Sequence, residues 1–150
     1  HPPDPISIAG KTFAQAEKEI QQCQYASIVR LGLPLGDSIN GEKGAIDWIE
    51  SRFRRKLPVT LFYDEYRSCI LCPEIAVMTL SLLSRGLGGL YHFGGDRAWS
   101  LHEIGQHVLQ RGPYPPHLLK GLMRREEKDG PPRIGDVSLN SSRLKTLLRT

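Results

Sequence analysis

Nowhere in the sequence does an apolar run reach the ~18–20 residues that cross a bilayer, so no transmembrane helix and no membrane partner are expected. The chain starts His-Pro-Pro-Asp. It has neither an initiator Met nor the basic leader and apolar core of a secretory signal, which reads as a stretch cut from a longer sequence. Cysteine is scarce. The three present, Cys23, Cys69 and Cys72, are too few and odd in number for a secreted disulfide scaffold, and they suit a reducing, cytoplasmic compartment. The pair "CILC" (Cys69–Cys72) has the spacing of a redox or zinc half-site. Neither a second Cys-x-x-Cys nor a His-x-x-x-His completes a set of four ligands, so no metal is expected. A helix opening at Pro73 would favour a redox thiol. Ile70, Leu71 and Ile75 around the pair favour packing as small apolar side chains instead, and packing is the expectation here.

Net charge is +4 but uneven: residues 1–110 hold 11 Lys/Arg against 12 Asp/Glu, and residues 111–150 hold 9 against 4. A basic end can meet phosphate. Here no nucleic-acid motif accompanies it, and "RREEKDG" (Arg124–Gly130) alternates in blocks of sign, so a solvated surface is expected and nucleic acid is not.

What is present is a run of short apolar stretches alternating with helical patterns, without repeats or low-complexity tracts. The spacing of Ala9, Phe13, Ala16 and Ile20 puts one stripe on a helix over Thr12–Gln22. "YASIVRL" (Tyr25–Leu31) reads as a strand buried in a parallel sheet. Gly32–Gly44 reads as a loop, Ala45–Arg55 as an amphipathic helix through Ile46, Ile49 and Phe53, and Val59–Phe62 as a strand. Pro73 to Gly86 makes a helix without charge between Glu74 and Arg85, expected to be buried on several sides. "GLYHF" (Gly89–Phe93) is a strand. Ser100-Leu-His-Glu103 is a capping box for a helix to about Gln110. Asp136–Asn140 is extended and Ser141–Arg149 is a short basic helix. Alternation of this kind indicates a single α/β unit over residues 1–150.

Five stretches, in this order, resemble the C-terminal half of the extended short-chain dehydrogenase/reductases, in the dTDP-4-dehydrorhamnose reductase-like branch: "PISIAGKTFAQAE", "ASIVRLGLPLG", "LPVTLFYDEYRSCILCPEIA", "GGLYHFGGDRAWSLHEIG" and "GDVSLNSSRLKTLL". The resemblance implies a Rossmann-like fold with a small substrate-binding region, NAD(P) held on an N-terminal half, and a nucleotide-sugar substrate. The glycine-rich dinucleotide fingerprint is absent from this chain. "GGLYHFGG" places a strand between its glycines and opens no helix directly after them, so it reads as turns.

The family's Tyr-x-x-x-Lys pair falls on Ala9 and Phe13. That chemistry needs a phenol to give a proton as hydride arrives, and a lysine one turn away to lower its pKa. Ala9 has no proton to give, and Phe13 has neither charge nor hydrogen-bonding group. Lys11 points away from that face, Thr12 is a poor acid, and no Tyr in the chain has a Lys four residues later; Tyr63 has Arg67. After the strand, "RLGLPLG" keeps Arg30 where the family often has Arg-Thr-Ser-Trp, and replaces the rest with apolar residues and glycine. No catalytic residue is therefore assigned.

Arg67 resembles the family arginine near the nucleotide-sugar and is the candidate substrate-binding residue; an ion pair with Asp64 or Glu65 is the competing reading. Glu74 is expected to favour a helix N-terminus. His92 and His102 are expected to be packing or surface residues, Trp48 and Trp99 core, and Arg143 and Lys145 complements to the end of the last helix. Three functions stand: a nucleotide-sugar-binding, non-catalytic or regulatory member of the family, whose partner would be a homodimer mate or another subunit; an active NAD(P)-dependent reductase or epimerase with a non-standard acid; and a protein-interaction module working through the first helix.

Overall fold

The computed structural model describes residues 3–36, 38, 44–127, 130 and 133–148. The chain folds as mixed α/β, as the alternation of elements requires. Helix α1 (Ile8–Ile20) starts four residues before the apolar periodicity indicates, because Ser7 caps it: its hydroxyl accepts from the Gly10 amide at 3.0 Å. Strands β1 (Ser27–Leu31) and β5 (Gly89–Phe93) pair in parallel, Ser27 opposite Gly89 through Leu31 opposite Phe93. Tyr25 and Ala26, read as strand in the sequence, lie outside β1. β2 (Leu33–Leu35) runs parallel to β4 (Tyr66–Leu71), and β6 (Ala98–Ser100) closes the other side of β4 antiparallel. β3 (Val59–Phe62) pairs in parallel with β7 (Leu119–Leu122). β2, β6 and β7 were not legible as strands: each is three or four residues long and exists through partners distant in sequence. The remainder of the loop read over Gly32–Gly44 lies mostly outside the described residues.

Two cores hold these pieces. The first joins α3 (Cys72–Ser84) to β4 and β5 and to α5 (Ser142–Leu148), through Ile70, Met78, Leu82, Tyr91, Phe93, Leu144 and Leu148. The second joins α2 (Asp47–Arg54), β3 and α4 (Leu101–Gln110), through Ile49, Phe53, Val59, Leu61 and Val108. Gly32 sits where the first sheet meets β4. A Cβ there would collide with the Ser68 carbonyl oxygen, so only glycine lets the two backbones approach. The capping box forms as read: Ser100 Oγ accepts from the Glu103 amide at 3.1 Å and Glu103 Oε2 accepts from the Ser100 amide at 2.7 Å.

Three packing expectations are corrected. α3 is not buried on several sides; Val77, Leu80 and Leu83 are 60–67% exposed, and only Met78 and Leu82 are buried. Absence of charge marks a face that avoids water, and in this chain nothing among the described residues covers it. Trp48 is exposed, on the outer side of α2 away from Ile49 and Phe53, whereas Trp99 is half-buried beneath the Arg97 guanidinium, 3.4 Å from the ring centre. Lys145 does not serve its own helix end but pairs with Asp96, and Arg143 lies over the Tyr91 ring.

His102 is buried and its ring centre is 4.3 Å from that of Tyr63, so the packing reading of this histidine holds. His92 is half-buried, with Nδ1 3.3 Å from the Asn140 carbonyl. Burial holds the His102 pKa below its ordinary value, opposed by the nearby Glu103 carboxylate. The unfolded chain therefore takes up this proton first, and the associated stability is present above the unfolded pKa of about 6.5 and is lost as pH falls below it. In urea titrations, acidification from about pH 7 to about pH 5 should lower stability, and His102→Gln should remove part of that loss.

Candidate functional site

Where β1 ends, β2 begins and β4 begins, the chain leaves a cavity of about 350 Å³. A strap over 133–141 closes one side. It is zipped to β4 by the Tyr66 amide donating to the Gly135 carbonyl (3.0 Å), the Val137 amide to the Tyr66 carbonyl (3.3 Å), and the Leu139 amide to Ser68 Oγ (2.9 Å). Leu31, Leu33, Val137 and Leu139 make the walls apolar, and the charged side chains that line it are the guanidiniums of Arg30 and Arg67. The place follows from strand direction, since in parallel sheets ligands collect at the carboxyl ends of the strands, and β1 ends here.

Each arginine is aimed by a carboxylate outside the cavity. Arg30 binds Glu17 of α1 with two bonds, Nε to Oε1 at 2.9 Å and Nη2 to Oε2 at 2.7 Å. This hydrogen-bonded pairing holds the Glu17 pKa below its usual value and raises that of Arg30. Arg67 Nη2 reaches Glu65 Oε2 at 3.1 Å, and Nη1 donates to the carbonyls of Tyr66 (2.8 Å) and Gly135 (3.1 Å). Glu65 is only 2% exposed and its other oxygen takes Arg133, whose guanidinium lies 4.1 Å from the Phe62 ring centre. Next to it, Asp64 accepts from the amide and Nε of Arg124, and the amide contact is the larger cause of its lowered pKa. So of the two carboxylates the sequence offered to Arg67, Glu65 is the partner, and Asp64 is committed to Arg124.

Ala9 and Phe13 lie on α1, both exposed to solvent, Phe13 at 72%. Phe13 lines a second, apolar groove with Ala16, Ile20 and residues 28–31 of β1, where the ionisable groups are Glu17 and Arg30. The structure thus brings Arg67 and Arg30 together in one cavity and leaves Ala9 and Phe13 outside it, the groove of Phe13 adjoining the cavity at Arg30 and Leu31. Glu74 does what its position implied, accepting from the Leu71 amide at 3.0 Å at the start of α3. Cys69 is half-buried, and burial raises its thiol pKa; Cys72 is exposed, which corrects the expectation that both cysteines pack. No group of three or more metal-ligating side chains occurs among the described residues. Arg133 escaped the sequence reading, which named Glu65 only as one of two carboxylates for Arg67. "DEYR" does signal a carboxylate beside Arg67, but Arg133 reaches it from 68 positions away.

The RmlD substrate binding domain family matches residues 1–150. The chain belongs to this family. Among solved structures, the dTDP-4-dehydrorhamnose reductase of Bacillus anthracis str. Ames in complex with NADP superposes with a TM-score of 0.84 at 17% identity, over 98% of this chain and 51% of that one. A hypothetical dTDP-4-dehydrorhamnose reductase from Sulfolobus tokodaii gives 0.80 at 24% identity, over 98% and 50%. The dTDP-glucose 4,6-dehydratase of Bacillus anthracis in complex with NAD gives 0.77 at 14%, over 95% and 46%. This chain therefore spans about half the length of these proteins, and at such identities the likeness establishes the shared fold. No curated protein sequence matches it. The RmlD-like, Rossmann-related architecture is the one the five sequence stretches implied.

Two outcomes test this geometry. Glu65→Ala would leave Arg67 and Arg133 facing one another without their shared carboxylate, and should destabilise the fold by about 3–5 kcal/mol in urea unfolding. Cys69, Ile70 and Leu71 are extended, which puts the Cα atoms of Cys69 and Cys72 about 10 Å apart at ~3.3 Å per residue, beyond the ~7 Å limit for a disulfide. Without reductant, Ellman titration should count three thiols, the exposed Cys23 and Cys72 reacting fast and Cys69 slowly.

Proposed function

We propose that this chain is the substrate-binding part of a dTDP-4-dehydrorhamnose reductase-like protein that holds a nucleotide-sugar through Arg67 and carries out no hydride transfer. The observation supporting the binding half is the Arg30–Arg67 cavity: two guanidiniums, each fixed by a carboxylate behind it, face a space with apolar walls and no acidic group in its lining. A diphosphate suits such a space. Its oxygens take charge-assisted, bidentate bonds from arginine, and a guanidinium already held in place loses less freedom on binding. The non-catalytic half rests on Ala9 and Phe13, which occupy the positions of the family's acid and its electrostatic partner. Loss of a general acid alone costs about 10²–10⁴ in rate.

NAD(P) is implied by the family. Among the described residues no glycine-rich turn leads from a strand directly into a helix in the way a dinucleotide pyrophosphate requires: after β5 the chain passes through β6 before α4 opens at Leu101. A cofactor would supply hydride from a part of the fold outside these residues. The role assigned to the chain is to bind and orient the sugar nucleotide, with regulation of a homodimer mate or partner subunit as the biological use.

Calorimetry with dTDP is the direct test. The wild-type chain should bind, and Arg67→Ala should weaken binding about 10–100-fold, the range for a lost charge-assisted hydrogen bond of roughly 1.5–3 kcal/mol. With NADPH and a 4-keto dTDP-sugar, the complete gene product should leave the nicotinamide absorbance unchanged; turnover would overturn the non-catalytic reading.

A further inference from the structure

The two cores meet at a seam. Ile70 of β4 belongs to the first and Val108 of α4 to the second, and between them lies a cavity of about 300 Å³. Leu35 and Leu71, register partners at the ends of β2 and β4, form one wall. Ile46, which precedes α2, and Ile104 and Val108 of α4 form the other. Trp99 of β6 closes a third side. Its ring is held in place: the Arg97 guanidinium lies 3.4 Å from the ring centre, and the His107 ring meets it edge-on at 4.8 Å. This space is separate from the Arg30–Arg67 cavity, and no residue lines both.

Protein interiors leave few voids larger than a water molecule, and apolar atoms facing an unfilled space forfeit their dispersion contacts. Apolar walls with a few polar groups among them, at this volume, are the make-up of a small-molecule site. The polar groups here have distinct states. Cys69 is half-buried. Glu74 is engaged, accepting from the Leu71 amide, and His107 is packed on Trp99. Arg111, at the end of α4, is the cation of the lining, and among the described residues no hydrogen bond or ion pair engages its guanidinium.

We propose that this seam cavity binds a small aromatic carboxylate of two fused rings, with the rings packed against Trp99 and the carboxylate on Arg111. Three features select that chemistry. An apolar cavity of about 150 Å³ takes one benzene ring, so twice that volume takes two. A fixed indole favours a flat aromatic partner, which packs against it offset or edge to face. A guanidinium without a partner takes a carboxylate through two parallel hydrogen bonds. The site goes beyond the proposed function, since neither a nucleotide nor hydride transfer enters it, and its test needs neither.

The test uses 2-naphthoate and the complete gene product in a Cys23→Ser and Cys72→Ser background, with Cys69 as a reporter inside the cavity. Calorimetry should detect binding, and saturating 2-naphthoate should slow maleimide labelling of Cys69 about tenfold or more. Arg111→Gln should weaken binding about 10–100-fold, as should the neutral 2-naphthamide in place of the acid. Leu71→Trp should fill the space and abolish binding with the urea midpoint unchanged, because Leu71 is 52% exposed and its replacement removes no buried contact. Absence of binding heat overturns the proposal. Binding that leaves the labelling rate of Cys69 unchanged, or that survives Leu71→Trp, also overturns it, because the ligand then sits elsewhere. Equal affinity for acid and amide overturns the role given to Arg111.

Discussion

A single buried carboxylate organises the candidate site. Glu65 is 2% exposed, and a lone charge at that depth would be heavily penalised. It is tolerated because Arg67 and Arg133 both reach it, one from the adjacent strand and one from the returning strap. That requirement reaches outward. Arg133 must come back to Glu65, so the strap must follow β4, and its amides then bond Tyr66 and Ser68. The strap in turn supplies Val137 and Leu139 to the cavity wall and delivers the chain to α5, which completes the first core. The same ion pairs that compensate a buried charge thereby hold a guanidinium at the cavity with little freedom left to lose.

A second constraint is the incompleteness of the parallel sheet. Parallel β-structure depends on burial of both faces. β1 and β5 meet it on the β5 side, where Tyr91 and Phe93 are buried, and miss it on the β1 side. The apolar surface of α1 and α3 has the same origin. These helices carry apolar faces that nothing among the described residues covers. The cavity and the open edge share two residues, Arg30, which is held by α1 and faces the cavity, and Leu31.

Local signals in the sequence carried well. Ser100 and Glu103 announced α4, because a capping box is made within four residues. "VTLF" and "GLYHF" became β3 and β5 with the bounds their apolar runs indicated, and the i, i+3, i+7 spacing of Ile46, Ile49 and Phe53 named the buried side of α2. β7 was invisible, since Leu119-Lys-Gly-Leu122 has no strand pattern of its own and is a strand through β3, some sixty residues earlier. Burial of α3 was misread because an uncharged helix indicates a demand for cover and not its presence. Trp48 was misread for a related reason: its type favours the core, but its place on the turn faces away from Ile49 and Phe53.

From the sequence by itself came the α/β alternation and the resemblance to the family, and with that resemblance the expectation that Ala9 and Phe13 stand at the positions of an acid and a cation. The alternation follows from short-range spacing, and the rest is what the resemblance implies. Only the tertiary structure decided that Glu65 and not Asp64 holds Arg67, that Arg30 joins it across one cavity, and that Phe13 lies on an open edge outside that cavity. Those outcomes depend on which distant segments are brought together. Arg133 and Glu65 are 68 positions apart, and no local pattern encodes a meeting that the topology of the sheets imposes.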